Sequence, residues 1–182
     1  MKESALIVST DRCLLRHAAS SDYDAMLAAI CTSEFPSELP LSRLYRQGRL
    51  KAWLDSIIEM SLSGAACLFS VDLRNGENCV GQVSLVRRDQ SGSWNLAFWI
   101  HPSHWGKGLA LEIARAAVRH AFTVMCVDEV WAGAALWNQR SISTLHKLGL
   151  LPVPRAGEPE EKPEAGNAFQ AFSLSRARWM RG

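Results

Sequence analysis

The sequence lacks the cysteine pattern of a disulfide framework or a zinc knuckle. Its five cysteines are odd in number, scattered along the chain and nowhere spaced as Cys-x-x-Cys. A disulfide framework needs paired cysteines, and a zinc knuckle needs closely spaced ligands. We therefore expect a protein without a structural metal that resides in the reducing cytoplasm.

Long apolar runs and an excess of charge are also missing. No apolar run of about seven residues, which a secretory signal requires, follows Met1 to Ser4. No stretch approaches the ~20 apolar residues that cross a bilayer. The 20 basic and 18 acidic residues leave a net charge of +2, which gives no general attraction to nucleic acid. We expect neither a membrane nor a nucleic acid as partner, whereas a homodimer stays open.

The composition is that of a globular domain. The chain has 182 residues, of which 48% are hydrophobic and 21% are charged, close to the usual ~45–50% and ~25%. A chain of this length can bury roughly 70% of its extended surface and needs no disulfide or metal to be stable. We expect a single domain over residues 1–182.

Hydrophobic periodicity predicts a mixed α/β domain, in which a three-stranded meander and crossover helices surround one sheet. Two early helices, one beginning after Asp22 and one around residues 50–58, are joined by an irregular loop over residues 34–40 that contains two prolines. Later helices are expected over residues 108–122 and 138–149. The expected strands cover residues 12–17, 66–73, 79–87, 94–100, 127–135, 150–153 and 168–175.

Turn and cap signals separate these elements. Asn75-Gly76 predicts a tight hairpin, because this pair supplies the positive φ angles that such a turn needs. Asp89 to Gly92 predicts a second turn, and Arg155 to Gly166, rich in proline and glutamate, predicts a solvated loop. Asn138 and Gly149 are expected to begin and end the last predicted helix.

The segment from Trp99 to Ala110 carries the strongest functional signal. A strand ends there, Gly106 and Gly108 bracket Lys107, and a helix begins at once. A helix N-terminus presents unpaired N–H groups and about half a positive charge, so it attracts phosphate. The segment matches neither a P-loop nor the three-glycine dinucleotide fingerprint. From these residues alone, both a phosphate site and a plain glycine-rich turn stay open.

Two motifs together resemble the GNAT N-acetyltransferase superfamily. They are Trp105-Gly-Lys-Gly-Leu-Ala-Leu-Glu112 and, further along, Leu136-Trp-Asn-Gln-Arg-Ser-Ile-Ser-Thr-Leu-His-Lys-Leu-Gly-Leu150. The resemblance is closest to the RimJ/RimL type of ribosomal-protein N-terminal acetyltransferase and extends over nearly the whole chain. It implies a mixed, mostly antiparallel sheet of about seven strands flanked by about four helices. It also implies acetyl-CoA as the acyl donor and no metal.

The resemblance further implies how acetyl-CoA is bound. The pantetheine arm would run along Trp99 to His101 and contact Asn138, and the pyrophosphate would lie on the six amides of Trp105 to Ala110. Trp105 stands where the family signature usually has Gln or Arg, and main-chain contacts are expected to make this change tolerable. The cofactor residues implied in this way are Trp99, Ile100, His101, Trp105, Gly106, Lys107, Gly108, Leu109, Ala110 and Asn138.

Ser141 is the implied catalytic residue, whose hydroxyl would protonate the departing thiolate of coenzyme A. A thiol pKa near 8.5 makes the thiolate a modest anion, so an O–H group and the positive end of the helix at Asn138 would help to expel it. The residues by themselves favour Asn138 as a plain helix cap and Ser141 as an ordinary first-turn serine.

The usual general base of the family is missing. Many members carry a glutamate on the strand before the glycine loop, where this chain reads Asn95-Leu-Ala-Phe-Trp-Ile100. Asn95 cannot accept a proton. A lysine side chain, with a pKa of ~10.4, is almost wholly charged at neutral pH, whereas an α-amine at ~7.7–8.0 has a usable neutral fraction. These residues therefore favour an N-terminal α-amine as acceptor, deprotonated through water.

Other titratable residues near the motifs have weaker claims. Glu112 is expected to form an ion pair with Arg115, three residues further along the same helix. Glu34 and Glu38 fall where the family places its acceptor, and they could either attract a cationic substrate or be plain solvated carboxylates. Two histidines beside the glycine loop, His101 and His104, are expected to have surface side chains without a catalytic role.

The expected function is an acetyl-CoA-dependent N-acetyltransferase in which the amine attacks the thioester directly. Main-chain N–H groups of residues 99–101 are expected to polarise the thioester carbonyl. The preferred acceptor is a protein or peptide α-amine, and the alternative is a small amine such as an antibiotic, a polyamine or an amino acid. The missing glutamate also leaves open a non-catalytic acyl-CoA-binding regulatory module, and an interaction protein without a cofactor is the third possibility.

Overall fold

The computed structural model describes residues 8–88, 92–154 and 168–182. Within these ranges the chain forms an eight-stranded sheet with helices on both faces. The strands are β1 (Val8–Ser9), β2 (Cys13–His17), β3 (Ala66–Leu73), β4 (Gly81–Arg87), β5 (Ser93–Ile100), β6 (Glu129–Ala135), β7 (Leu151–Val153) and β8 (Phe169–Ser175). The α-helices are α1 (Tyr23–Ile30), α2 (Pro40–Arg46), α3 (Leu50–Leu62), α4 (Leu109–Thr123), α5 (Gln139–Lys147) and α6 (Arg176–Trp179).

The predicted fold class is confirmed, and the element counts need small corrections. The strand order is β1-β2-β3-β4-β5-β6-β8-β7, and all neighbours are antiparallel except β5 and β6. The short elements β1, α2 and α6 were not predicted. Residues 34–40 do not lead directly to the second predicted helix, because Pro40 begins α2. Proline is well tolerated in a first helical turn, where its missing N–H has no partner to lose.

The turn after β3 also differs from the prediction. Of Asn75 and Gly76, only Gly76 has a positive φ, of 100°, whereas a two-residue hairpin turn at this pair would need a positive φ at both. The N–H of Gly76 donates to the carbonyl of Leu73 at 3.0 Å, and the N–H of Leu73 donates to the carbonyl of Glu77 at 2.7 Å. The loop is therefore a three-residue turn closed by a left-handed glycine. Apart from Gly92, the turn predicted at residues 89–92 and the loop predicted at 155–166 lie outside the described residues.

Two apolar cores lie on opposite faces of the sheet. On one face, α4 and α5 cover a cluster that includes Phe69, Leu85 and Ile113. On the other, α1 and α3 cover a cluster that includes Met26 and Leu54. Strand residues alternate between the two clusters, as the pleat of a sheet requires. Among the described helices, none is long and apolar enough to cross a membrane.

The parallel pair is the irregular part of the sheet. β5 and β6 are in register only over Ser93–Asn95 and Glu129–Trp131, although β5 continues to Ile100 and β6 to Ala135. Beyond the third residue pair the two strands diverge. The divergence opens towards the end of β5, where the glycine loop and α4 follow.

Candidate functional site

The glycine loop has a backbone that requires glycine at two positions. Gly106 and Gly108 have φ angles of 75° and 76°, in the left-handed region that side chains with a Cβ rarely adopt. A Cβ at Gly106 would meet no atom within 4 Å, and one at Gly108 would meet only Arg12 Nη2 at 3.7 Å. Crowding is therefore not the reason for the glycines. The backbone conformation is, and it leaves the loop open to solvent.

The amides of this loop form a row of free donors in front of α4. No oxygen of residues 8–88, 92–154 or 168–182 accepts a hydrogen bond from the N–H groups of Gly106 to Ala110. The N–H of Trp105 differs, because it donates to the carbonyl of Pro102 at 3.0 Å. Of the six predicted amides, five are thus available at the positive end of a 15-residue helix. This arrangement is suited to an anion.

Arg12 and Glu112 hold the loop from the side, which corrects the predicted partner of Glu112. Arg12 donates to the carbonyl of Lys107 at 2.8 Å and binds Glu112 through Nη2 at 2.6 Å, whereas Arg115 is exposed. Burial raises the pKa of Glu112, but hydrogen bonds from Thr10 and from Arg12 outweigh it and hold the pKa below its usual value. Glu112 is therefore an anchored carboxylate and does not replace the missing base.

A cleft of about 380 Å³ lies beside this anchor, between the β1–β2 turn and the β3–β4 loop. Its lining mixes cations with acids, among them Lys107 and Glu77. Glu77 binds His104 Nε2 at 3.0 Å, and the His104 side chain is only 11% exposed, so this histidine is more buried than the surface position that the sequence predicts. Neither Asn138 nor Ser141 lines the cleft, so it is separate from the side of the loop that faces α5.

Of residues 99–101, only Ile100 presents its main-chain groups to the divergence from β6, because those of Trp99 and His101 face β4. The N–H of His101 donates to Val80 of the β4 side at 2.8 Å, so this amide is not free to polarise a ligand. The carbonyl of Ile100 instead accepts the indole N–H of Trp105 at 2.8 Å. Since N–H and C=O of a strand residue point to the same edge, the N–H of Ile100 faces the divergence. The indole of Trp99 points elsewhere and donates to Gln82 at 3.1 Å.

The first turn of α5 closes the other side of the divergence. Asn138 is the predicted cap, and its Oδ1 accepts the N–H of Ser141 at 3.1 Å. Within the described part of the chain, Asn138 Nδ2 and Ser141 Oγ have no hydrogen-bond partner. The guanidinium of Arg140 lies 4.8 Å from the ring centre of Trp105. The structure thus brings the start of α5 next to the glycine loop, as the two motifs predict.

The predicted acceptor residues lie apart from these groups. Glu34 and Glu38 are exposed in the segment between α1 and α2, and the buried Phe35 between them anchors this segment in the second core. Asn95 is half-buried on β5, opposite Val86. No carboxylate stands at its position.

Sequence reasoning missed two partners of the predicted residues. Arg12 holds the glycine loop from 95 residues away, a separation at which spacing carries no signal. Gln82 is 1% exposed and binds Trp99. A polar residue in an apolar strand is a visible signal, but its partner cannot be read from the sequence. The residues that the structure describes contain no group of three metal-ligating side chains placed to bind a metal ion.

A mostly antiparallel sheet whose parallel pair diverges in front of a glycine-rich helix N-terminus defines the fold of a GNAT-type acetyltransferase. A family model described as an acetyltransferase (GNAT) domain matches residues 12–151. The chain therefore belongs to the GNAT acetyltransferase family and is an enzyme of that type, as the sequence predicts.

Individual relatives are similar to this chain at low identity. An uncharacterized N-acetyltransferase p20 of Bacillus licheniformis is 24% identical over 140 residues, which are 76% of this chain and 79% of that protein. The solved structure of RimL, a ribosomal L7/L12 alpha-N-protein acetyltransferase in complex with coenzyme A, has a TM-score of 0.78 at 14% identity and covers 93% of this chain and 98% of its own. A spermidine N-acetyltransferase SpeG chimera from Vibrio cholerae and hSSAT has a TM-score of 0.71 at 17% identity. The match covers 93% of this chain and 99% of the chimera. At these identities the structures establish the fold alone.

Proposed function

We propose that this protein transfers the acetyl group of acetyl-CoA to the N-terminal α-amine of a protein or peptide, as a member of the RimJ/RimL branch, with residues 1–182 acting as one domain. One observation carries the proposal: five amides, from Gly106 to Ala110, have no partner among the described residues and lie beside the open edge of β5. A diphosphate would satisfy these donors and would orient a thioester towards that edge.

Residues of the chain supply donor binding and carbonyl polarisation. The amides of Gly106 to Ala110 hold the pyrophosphate, and Asn138 Nδ2, which its capping role leaves free, donates to the pantetheine arm. Acetyl-CoA itself supplies an activated acyl group. The N–H of Ile100 faces the divergence and donates to the thioester oxygen, where negative charge develops during attack.

Ser141 is the general acid of the proposal. Its hydroxyl has no partner within the described residues and lies in the first turn of α5. The thiolate that leaves would take the proton of this hydroxyl and would also be stabilised by the positive end of α5.

The acceptor class follows from the absent carboxylate. With Asn95 on β5, water must take the proton of the amine, which an α-amine with a pKa of ~7.7–8.0 releases far more readily than lysine. A polyamine is the second candidate, because the exposed carboxylates Glu34 and Glu38 would attract several positive charges and because a spermidine acetyltransferase shares the fold.

The test is thiol release from acetyl-CoA with four acceptors: a peptide beginning with alanine, a peptide beginning with serine, an N-terminally blocked peptide with one lysine, and spermidine. We expect turnover with the first two. Turnover with spermidine alone would establish the second candidate. Stabilisation by coenzyme A against heat without any turnover would indicate a binding module, and no stabilisation would contradict the donor site itself.

A further inference from the structure

A row of polar side chains crosses four strands on the face covered by α1 and α3. Arg16, Ser70, Gln82 and Trp99 are direct cross-strand neighbours on β2, β3, β4 and β5. Ser70 and Gln82 are 0% and 1% exposed. Interior strand positions are usually apolar, and a buried polar group is costly unless it is hydrogen-bonded. Each buried polar group of this row therefore needs a hydrogen-bond partner.

The hydrogen bonds of the row run in a single direction. An indole N–H only donates, so the atom of Gln82 that faces Trp99 at 3.1 Å is the carbonyl oxygen. The amide nitrogen of Gln82 must then donate to Ser70 Oγ at 3.1 Å. Ser70 in turn donates to Asp22 Oδ2 at 2.7 Å. Each donor orients the group that accepts its hydrogen bond, and the series of hydrogen bonds that starts at Trp99 ends on the carboxylate of Asp22.

The carboxylate of Asp22, where this series of hydrogen bonds ends, is itself held in place by other groups. The side chain of Arg16 binds both carboxylate oxygens, at 2.7 and 3.0 Å, and the N–H of Ala19 binds Oδ2 at 2.8 Å. Burial raises the pKa of Asp22, but these hydrogen bonds outweigh it and lower the pKa below its usual value. The carboxylate therefore stays charged at neutral pH and keeps accepting the proton of Ser70.

At the other end of this series of hydrogen bonds, Trp99 lies beside an exposed strip of β5. Asn95, Ala97 and Trp99 alternate onto the same face of the strand, and Ala97 is exposed while its two neighbours are half-buried. The indole of Trp99 also packs on the core cluster that contains Phe35. It thus lies at the border between the exposed strip and this core.

We propose that the indole of Trp99 is the specificity-determining wall of the acceptor site, held in place by Gln82, Ser70 and Asp22 as positioning residues. This inference rests on the proposed function, because the acceptor must reach the end of β5. The wall limits the group attached to the carbon beside the reacting amine, so the site takes α-amines with a small side chain, and Ala97 forms the floor.

The test compares two peptides that differ only in their first residue, alanine or phenylalanine, with no lysine. We expect the wild-type protein to favour the alanine peptide in kcat/KM by about tenfold or more. Trp99→Ala should reduce this preference at least several-fold. Gln82→Met interrupts this series of hydrogen bonds and conserves the side-chain volume. It should reduce the preference for the alanine peptide and raise KM for the peptide, with KM for acetyl-CoA unchanged. In the double variant the preference should equal that of Trp99→Ala, because Gln82 acts through Trp99.

Leu85→Ala is the matched control. Leu85 is a β4 residue that is 0% exposed in the core of the opposite face, so its truncation lowers the melting temperature without touching the row. We expect Leu85→Ala to keep the wild-type preference. If it alters the preference as Gln82→Met does, or if Trp99→Ala keeps the wild-type preference, the inference is wrong while the proposed function stands. Turnover of spermidine with neither peptide, or no binding of coenzyme A by the wild-type protein, would overturn both.

Discussion

At the scale of single residues, Gly106 and Gly108 show how two backbone angles set the conformation of the loop on which the proposed donor site depends. Their φ angles near 75° place the backbone in the left-handed region twice, directly before α4 begins. The left-handed backbone could be predicted from the two glycines, because few other residues adopt this conformation. Unpaired amides at the helix start could be predicted as well. Which of the six amides stay without a partner could not, since this depends on which carbonyls come near in the folded chain.

Replacing Gly108 separates the cost of backbone strain from the loss of binding. Gly108→Glu should lower stability by about 1–2 kcal/mol through the left-handed backbone and should abolish stabilisation by coenzyme A, because a carboxylate then repels the diphosphate. Gly64→Glu is the matched control, since Gly64 has a φ of 77° and free space around its Cβ position. Melting temperatures with and without coenzyme A measure both effects. Equal coenzyme responses in the two variants would contradict the donor site.

Ser141 and Ser143 offer a second matched pair, on one helix. Ser141→Ala should lower kcat by about tenfold or more, since a positioned general acid contributes about that much, and should leave KM for acetyl-CoA nearly unchanged. Ser143 is exposed on the same helix, so Ser143→Ala should keep the wild-type kcat. Steady-state kinetics with the preferred peptide provide the measurement. Unchanged turnover in Ser141→Ala would remove Ser141 from the mechanism.

At the scale of secondary structure, local patterns predicted the long elements and missed contacts between distant ones. Apolar periodicity marked α3 and α4, and Asn138 marked the start of α5. The pairing of Glu112 shows the limit, because its predicted partner Arg115 was chosen by helical spacing. The observed partner, Arg12, lies 100 residues away in the sequence and becomes a neighbour only when β2 joins the sheet.

The Glu112–Arg12 contact should make the attachment of α4 to the β1–β2 turn depend on pH. The lowered pKa of Glu112 means that its stabilising effect is complete above the unfolded value of ~4.3 and is lost as pH falls through the lower folded value. We expect Glu112→Gln to lower the free energy of unfolding by about 1 kcal/mol at pH 7, with the difference shrinking below about pH 4. Urea titrations at several pH values test this. Glu59→Gln, at an exposed site on α3, should show little change at any pH.

At the scale of the whole molecule, the sequence predicted a mixed sheet and left its order open. Alternating patterns show which residues share a face, but the neighbours of β6 depend on how α4 crosses the sheet. Two short motifs, at Gly106 and at Asn138, nevertheless pointed to the same end of the fold. That the two motifs act together was implied by the resemblance to the GNAT superfamily, whereas the local signals mark only the start of each helix.

His120 links the global stability of the fold to pH near neutrality. It is 6% exposed between α4 and the sheet, in edge contact with Phe69, and burial together with the charge of His17 lowers its pKa. The unfolded chain therefore binds a proton near pH 6.5 that the folded chain does not take up. Protonation of this residue has no effect on stability well above that pH and opposes folding increasingly as pH falls. We expect the free energy of unfolding to fall between pH 7 and pH 5, and to fall less in His120→Gln. His146→Gln, at an exposed position, should keep the wild-type slope.

The three-residue pairing of β5 with β6 leaves an unsatisfied strand border in the interior of the sheet, where other proteins have theirs at the rim. Exposed borders of this kind are templates for strand addition and aggregation. Here the border lies inside the sheet, between β5 and β6, and not at its rim. A ligand that paired with this border would satisfy its main-chain groups, so filling the gap should make the protein more stable.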